Sequence, residues 1–377
     1  MMKTRLVVCS PYAEWQRVRQ HEIPIALSLH QGALETLKCV AIIVGQDGLP
    51  NWPATDYLLE CAIASQSITG DTVRTYGESL TAWIRHLEER GLSLATATER
   101  HLKLYRNALT NTNPKLSPFT IRARVLTVLR FYEWGEQTGK LHSSLGRWNA
   151  TEHAAAAGIA GKSSTLRPLV PRQPVRLPRT LSPQQISNLL AASKLPYRLM
   201  YRWAVCTGLR RVELCNLKNS DLQNPYVLPS GLNQIEIRRK GGRLISVYVP
   251  QRLLDETRWY ALTDRPSTLP APDIDLVFLT KSGKPVDKNR LSNEFRKAAN
   301  TIGSTATLHH LRHTYAVTLF GKLQQSADDG THINPLKTLQ ILLGHASISS
   351  TEIYLRALEI DSPAVHSALA FLYSEAM

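Results

Sequence analysis

Residues 308–317 read LHHLRHTYAV, with three histidines and an arginine inside positions 308–313. Such a set could hold a metal, hold a phosphate, or serve only its own helix. His309 and His313 are four apart and share a helix face, as zinc ligands often do, yet the pattern lacks the glutamate of the zinc-protease motif and offers no third ligand nearby. The metal reading is therefore set aside, and the histidines by themselves settle nothing. A second stretch, TGLRRVEL at 207–214, has Gly208 breaking one helix and Arg210 opening the next. Arginine presents a planar fork of donors that matches two phosphate oxygens, and a helix amino terminus adds a favourable field. A surface arginine is the plainer reading of that residue taken alone. The third stretch is QIEIRRKGGRLISVYVP at 234–250, where β-rich flanks meet at Gly241-Gly242 and leave Lys240 at a hairpin tip. There a mobile ammonium could reach a leaving oxygen. The fourth is LLGHASISSTEIYLRA at 342–357, in which Ser349 and Glu352 have capping-box spacing just ahead of Tyr354.

These four stretches are far apart in sequence and need a sizeable fold to bring them together. A chain of 377 residues can bury such a core and is expected to divide into at least two domains. Lysine plus arginine exceed aspartate plus glutamate by 45 to 30, a formal charge of +15 that suits a polyanionic partner, nucleic acid before a membrane surface. The longest apolar run, CVAIIVG at 39–45, is far too short to span a bilayer, and no signal peptide is evident. A cytoplasmic or nucleoid location is expected. The five cysteines lack the paired spacings of a zinc site or a disulfide framework and read as small buried residues.

Residues 1–53 form an amino-terminal extension with no chemistry of its own: an arm, a docking piece or a brace. From 54 to 145 the pattern is helical, with Val73, Tyr76, Leu80, Trp83, Ile84 and Leu87 on one face and Ile121, Val125, Val128, Leu129 and Tyr132 on another. Arg122, Arg124 and Arg130 lie largely off that second stripe, where they are read as DNA contacts with a solvated charged face as the plainer alternative, and Gly139 is a stop signal. Residues 146–180 lose periodicity and end in LRPLVPRQPVRLPRT, four prolines and four arginines without an acid. This reads as an extended basic linker whose Arg167, Arg172, Arg176 and Arg179 track a phosphate backbone. The next domain, 181–377, opens at Ser182, Pro183 and Gln185 with the spacing of a capping box. Between His313 and His345, FGKLQQSADDGTHINPLKTLQ carries Asp328, Asp329 and Gly330, and the insert is expected to be an exposed loop.

Taken in order, TGLRRVEL, the hairpin lysine, HHLRHTYA and LGHASISSTEIY resemble the tyrosine recombinases, or phage-type integrases. Each motif alone is unspecific; the ordered set is not. The resemblance covers about 181–360, the helical region 54–145 looks like the family's SAM-like core-binding domain, and the first fifty residues lie outside it. It implies a mainly α fold with a small β-hairpin or sheet, a helical domain and an α+β catalytic domain closing as a C-shaped clamp on DNA.

The resemblance also implies the roles. Arg210 and Arg312 would stabilise charge on the nonbridging phosphate oxygens, and His309 and His345 would donate to the same group, with either able to move the tyrosine proton. Lys240 would be the general acid for the departing deoxyribose oxygen; Arg243 keeps its proton and is a weaker candidate, and Lys281 and Lys284 are further ones. Tyr354 would attack phosphorus to give a 3′-phosphotyrosyl link and a free 5′-hydroxyl. Bond energy is conserved, so no cofactor and no metal is called for. Glu213 and His313 would support the reacting groups, and Arg239 and Arg243 would join the DNA contacts. The implied partner is double-stranded DNA with a specific recombination site, bound by a homotetramer on two duplexes, with partner recombinases or bending proteins as further company. An apolar stripe of Val365, Ala368, Leu369 and Leu372 would pack on a neighbouring subunit. The two rivals are a type IB topoisomerase-like enzyme that relaxes DNA and a noncatalytic DNA-binding protein of the same fold.

Overall fold

The apolar stripes read from the sequence face inward. The computed structural model describes residues 3–9, 39–65, 70–145, 177–238, 244–266, 274–345 and 347–360. The chain divides into two compact units, Met1–Val175 and Arg176–Met377. No helix of the described residues is long and apolar enough to cross a membrane.

In the first unit, strands β1 (Arg5–Cys9) and β2 (Val40–Val44) pair antiparallel, Arg5 opposite Val44 and Cys9 opposite Val40. Four helices follow: α1 (Trp52–Ala64), α2 (Asp71–Glu88), α3 (Glu99–Thr110) and α4 (Pro118–Thr138). Local chemistry sets the ends of α4. Ser117 accepts from the Thr120 backbone, Pro118 suits the first turn, and Gly139 takes φ 68 to stop it. Val73, Leu80, Trp83, Ile84 and Leu87 of α2 and Ile121, Val125, Val128, Leu129 and Tyr132 of α4 are buried together. The Trp83 indole donates to the Tyr132 hydroxyl at 3.1 Å inside that core. Ala41 and Ile43 of β2 belong to the same core, Thr4 donates to Glu88 at 2.6 Å, and Arg85 donates to the Thr4 carbonyl at 2.6 Å. The described residues of the amino-terminal extension thus pack on the helical bundle.

The second unit begins where the Leu181 backbone donates to the Thr314 hydroxyl at 2.9 Å. Helix α5 (Pro183–Ala191) carries the expected Ser182–Gln185 capping box. Helices α6 (Tyr197–Thr207), α7 (Arg211–Cys215) and α8 (Asn219–Gln223) lead to a three-stranded antiparallel sheet, β3 (Tyr226–Val227), β4 (Asn233–Arg238) and β5 (Leu244–Val249), in the order β3-β4-β5. The short β3 is an addition to the expected hairpin. Register pairs Arg238 with Leu244, so residues 239–243 make the connection; Arg239, Lys240 and Arg243 lie in it, outside the described residues. Helices α9 (Gln251–Thr263), α10 (Lys288–Thr301) and α11 (Leu308–Asp328) complete the main core with α6 and the sheet.

The insert between His313 and His345 departs from expectation. It is mostly helix: α11 runs to Asp328, and only a short turn precedes α12 (Pro335–Leu343), which Asn334 caps. The reason is burial, because Leu319, Phe320 and Leu323 continue the helical spacing of α11 and pack against Leu336, Leu339 and Leu343 of α12. Gly330 at φ 93 accommodates the turn that follows. The capping box expected from Ser349 and Glu352 is also not formed. Ser349 sits in a 3₁₀ turn (Ile348–Ser350) that Ser347 caps, and Glu352 is the first residue of α13 (Glu352–Ile360). Outside the described residues fall Arg167, Arg172 and Arg176 of the linker and the stripe from Val365 to Leu372; Arg179 is described and exposed.

Candidate active site

Helix α6 ends at Gly208 with φ +66, and a Cβ there would stand 2.5 Å from the Tyr315 ring. Both the conformation and the space demand glycine. Tyr315 is itself partly buried, which pushes its hydroxyl up to about 12. Two residues on, Arg210 occupies the cap position of α7. Glu213 accepts from the Arg210 backbone at 2.7 Å and from its guanidinium at 3.1 Å. The Glu213 side chain is 8% exposed and the Arg210 side chain 42%, so a buried carboxylate steers an arginine whose fork is open to solvent.

Arg312, on the first turns of α11, is only 3% exposed. Its guanidinium donates to the Gly208 carbonyl, to the Leu343 carbonyl at 3.0 Å and to Nε2 of His345 at 3.0 Å. These bonds join the α6 terminus, the end of α12 and the residue after Gly344, which caps α12 at φ 57. The longer sequence spacing between His313 and His345 therefore does not separate Arg312 from His345. His345 is held from two further sides, its backbone N–H donating to the Gln340 carbonyl at 3.0 Å and its Nδ1 lying 3.0 Å from the Thr351 hydroxyl.

Tyr354 is 3% exposed in the small core built by α11, α12 and α13. Its ring stacks on His345 at 6.4 Å between centroids and lies 5.8 Å from His313. Burial raises its pKa; the charges of Arg312 and Arg210 and a hydrogen bond with Arg312 oppose that rise. The same two guanidinium groups act on His309, whose pKa is lowered first by the protein packed beneath its ring, then by Arg312, His310 and Arg210. His309 remains exposed at its edge and meets His313 edge-on at 4.3 Å. His310 serves the helix, its Nδ1 accepting from the Thr307 backbone at 2.6 Å.

His313 has its pKa lowered to about 4, by burial first and then by His309, His310 and Arg312. An unfolded histidine binds its proton near 6.5, so between that value and about 4 the unfolded chain carries more protons than the folded one. Stability is therefore expected to fall as pH drops through that window. His309 and His86 shift in the same direction, so a His313→Gln protein should lose part of the effect. Thermal unfolding of both proteins from about pH 7 to about pH 4.5 checks this; equal losses would mean that His313 is not a source.

The structure thus gathers Arg210, Glu213, His309, Arg312, His313, His345 and Tyr354 around one cluster. Lys240, Arg239 and Arg243 are outside the described residues, while Lys281 and Lys284 are exposed on the loop before α10. In the first unit, Arg130 donates to the Tyr76 hydroxyl at 3.4 Å and Arg124 lies beside Tyr105, while Arg122 is partly buried. Thr351, Gln340 and the carbonyls of Gly208 and Leu343 were not singled out from the sequence. Backbone carbonyls carry no sequence signal, and Thr351 reaches His345 across a 3₁₀ turn that the residue pattern did not announce.

The profile of the phage integrase family matches residues 179–359, and that of the phage integrase N-terminal SAM-like domain matches residues 56–139. The tyrosine recombinase XerA of Thermococcus kodakarensis is 28% identical over 269 residues, spanning 64% of this chain and 85% of the relative. The tyrosine recombinase XerD of Shewanella oneidensis is 26% identical over 311 residues, 80% of this chain and 91% of the relative. Among solved structures, the XerH site-specific recombinase in its post-cleavage complex with palindromic difH substrate superposes with a TM-score of 0.57 at 18% identity, covering 86% of this chain and 90% of that one. A lambda integrase (75–356) dimer bound to a COC′ core site gives a TM-score of 0.53 at 17% identity, covering 80% and 94%. At those identities the structural likeness speaks for the fold.

Proposed function

The chain belongs to the phage integrase family of tyrosine recombinases and is a site-specific recombinase, and from that premise we propose that the cluster around Tyr354 is its strand-cutting centre. The observation that carries this reading is the meeting of Tyr354, Arg312, His345, His309 and the Glu213-steered Arg210 from four separate elements. Two guanidinium groups at one place suit the charge that develops on a phosphodiester as it is attacked. Arg312 is aimed by fixed carbonyls and needs little reorganisation, while Arg210 offers an open fork to the incoming phosphate.

Tyr354 Oη attacks the phosphorus, the bond to the 5′-oxygen breaks, and a 3′-phosphotyrosyl link forms. Because burial raises the Tyr354 pKa, its proton must leave as the new bond forms, to a neutral imidazole. His309 is the candidate, because its lowered pKa keeps it neutral at physiological pH, whereas Nε2 of His345 already lies 3.0 Å from the donor-only guanidinium of Arg312. Lys240 protonates the departing oxygen. A 5′-hydroxyl from a second duplex then reverses the step. The partner in this proposal is duplex DNA, with four copies of the chain on two duplexes. Charge of +15 favours phosphate contacts, so affinity should fall steeply with salt.

The test is to incubate the full chain with nicked suicide duplexes from its own genomic flanks and map the adduct by peptide mass. Attachment at Tyr354 through a 3′-phosphate supports the reading. Relaxation of plasmids lacking any defined site would favour a topoisomerase instead, and binding without an adduct a noncatalytic protein.

A further inference from the structure

Thr351 has no assigned role, and its surroundings are unusual for a side chain in a short turn. It is fully buried. Its backbone N–H donates to the Ile348 carbonyl at 2.7 Å, and its own carbonyl accepts from the Tyr354 backbone at 3.0 Å. Its hydroxyl lies 3.0 Å from His345 Nδ1, and the opposite ring nitrogen, Nε2, lies 3.0 Å from the Arg312 guanidinium. One residue therefore touches the turn that carries the tyrosine and the histidine that touches the buried arginine.

The chemistry of the three groups fixes the direction of each bond. A guanidinium has donors only, so Nε2 of His345 must accept. A neutral imidazole then carries its hydrogen on Nδ1, and the Thr351 oxygen accepts it. With both ring nitrogens committed, the imidazole can neither flip nor change tautomer without losing a hydrogen bond in a buried place. The ring in turn presents a fixed lone pair to Arg312, alongside the carbonyls of Gly208 and Leu343.

We propose that Thr351 is a positioning residue for strand cutting, acting through a relay in which its hydroxyl sets the tautomer of His345 and His345 sets the orientation of the Arg312 guanidinium. The inference rests on the strand-cutting reading of the Tyr354 cluster. Thr351 itself need not touch DNA. The nearest parallel in physical terms is a metal-bound histidine, whose outer hydrogen bond fixes which nitrogen faces the reacting centre.

The test uses the full chain and a suicide duplex. Thr351→Val keeps shape and removes the hydroxyl, and it should lower the rate of adduct formation at saturating protein about tenfold with DNA affinity little changed. Thr351→Ser keeps the hydroxyl and should recover most of that loss; a serine protein as slow as the valine protein overturns the proposal. In a His345→Ala background, adding Thr351→Val should cost nothing further, whereas a second full loss would mean that Thr351 acts by another route. Should the valine protein not fold, ¹⁵N shifts of the His345 ring in the DNA-free wild type still decide: a hydrogen on Nδ1 agrees, and one on Nε2 overturns the relay. A Tyr354→Phe control on the same duplex separates this outcome from failure of the underlying reading, since an adduct formed by that protein removes the nucleophile whatever Thr351 does.

Discussion

A Tyr354→Phe protein is expected to bind its duplex and to form no covalent adduct, a loss of at least about 10⁴-fold in strand cutting. Phenylalanine fills the space that the tyrosine ring occupies among Ala316, Phe320, Leu339 and Leu343, so the small core of α11, α12 and α13 should stay packed. The hydroxyl interacts with Arg312, and its removal should cost no more than about 1 kcal/mol of stability. Denaturing gels of the suicide-duplex reaction give the first quantity and thermal unfolding the second. An unchanged yield of adduct would show that another side chain is the nucleophile and would undo the assignment of the whole cluster.

The two arginines should separate when each is replaced by alanine. Arg312→Ala removes a buried guanidinium from the Gly208 and Leu343 carbonyls and from His345. Each buried carbonyl left without a donor costs about 1–3 kcal/mol, so unfolding free energy should fall on the order of 3 kcal/mol, together with a loss in strand cutting of about 10³-fold. Arg210→Ala removes a half-exposed side chain bonded to Glu213, and stability should change by less than about 1 kcal/mol while cutting falls on the same scale. In the proposed reaction both groups would serve the phosphate, but Arg312 also ties together the ends of α6 and α12. Chemical denaturation and adduct assays on the two proteins, run side by side, provide the check. An Arg312→Ala protein as stable as the wild type would mean that those carbonyls find other donors.

Much of this arrangement was legible in the order of residues. The stripes of α2 and α4, the Ser182–Gln185 box, the stops at Gly139 and Gly208 and the place of Arg210 at a helix start depend on contacts three or four residues apart. Such contacts are written in neighbouring side chains and need no knowledge of the rest of the chain. The polar groups of the cluster stand in TGLRRVEL, HHLRHTYA and LGHASISSTEIY, motifs whose order is visible along the chain. The same local reasoning failed between His313 and His345, where Asp328, Asp329 and Gly330 suggested a loop. Those residues mark only the end of a helix that burial of Leu319, Phe320 and Leu323 had already extended.

What the sequence determined by itself was which residues could react and which helices would carry them. Tertiary structure decided how those residues are aimed: Arg312 on a carbonyl 104 positions earlier and another 31 later, His345 between Arg312 and Thr351, Tyr354 buried against both histidine rings, and β2 sharing the core of the helical unit. The physical reason is that a buried donor or acceptor must be satisfied by whatever the fold brings near it. Backbone carbonyls are alike in every sequence, so which of them meets a guanidinium is settled only when distant segments close on one another.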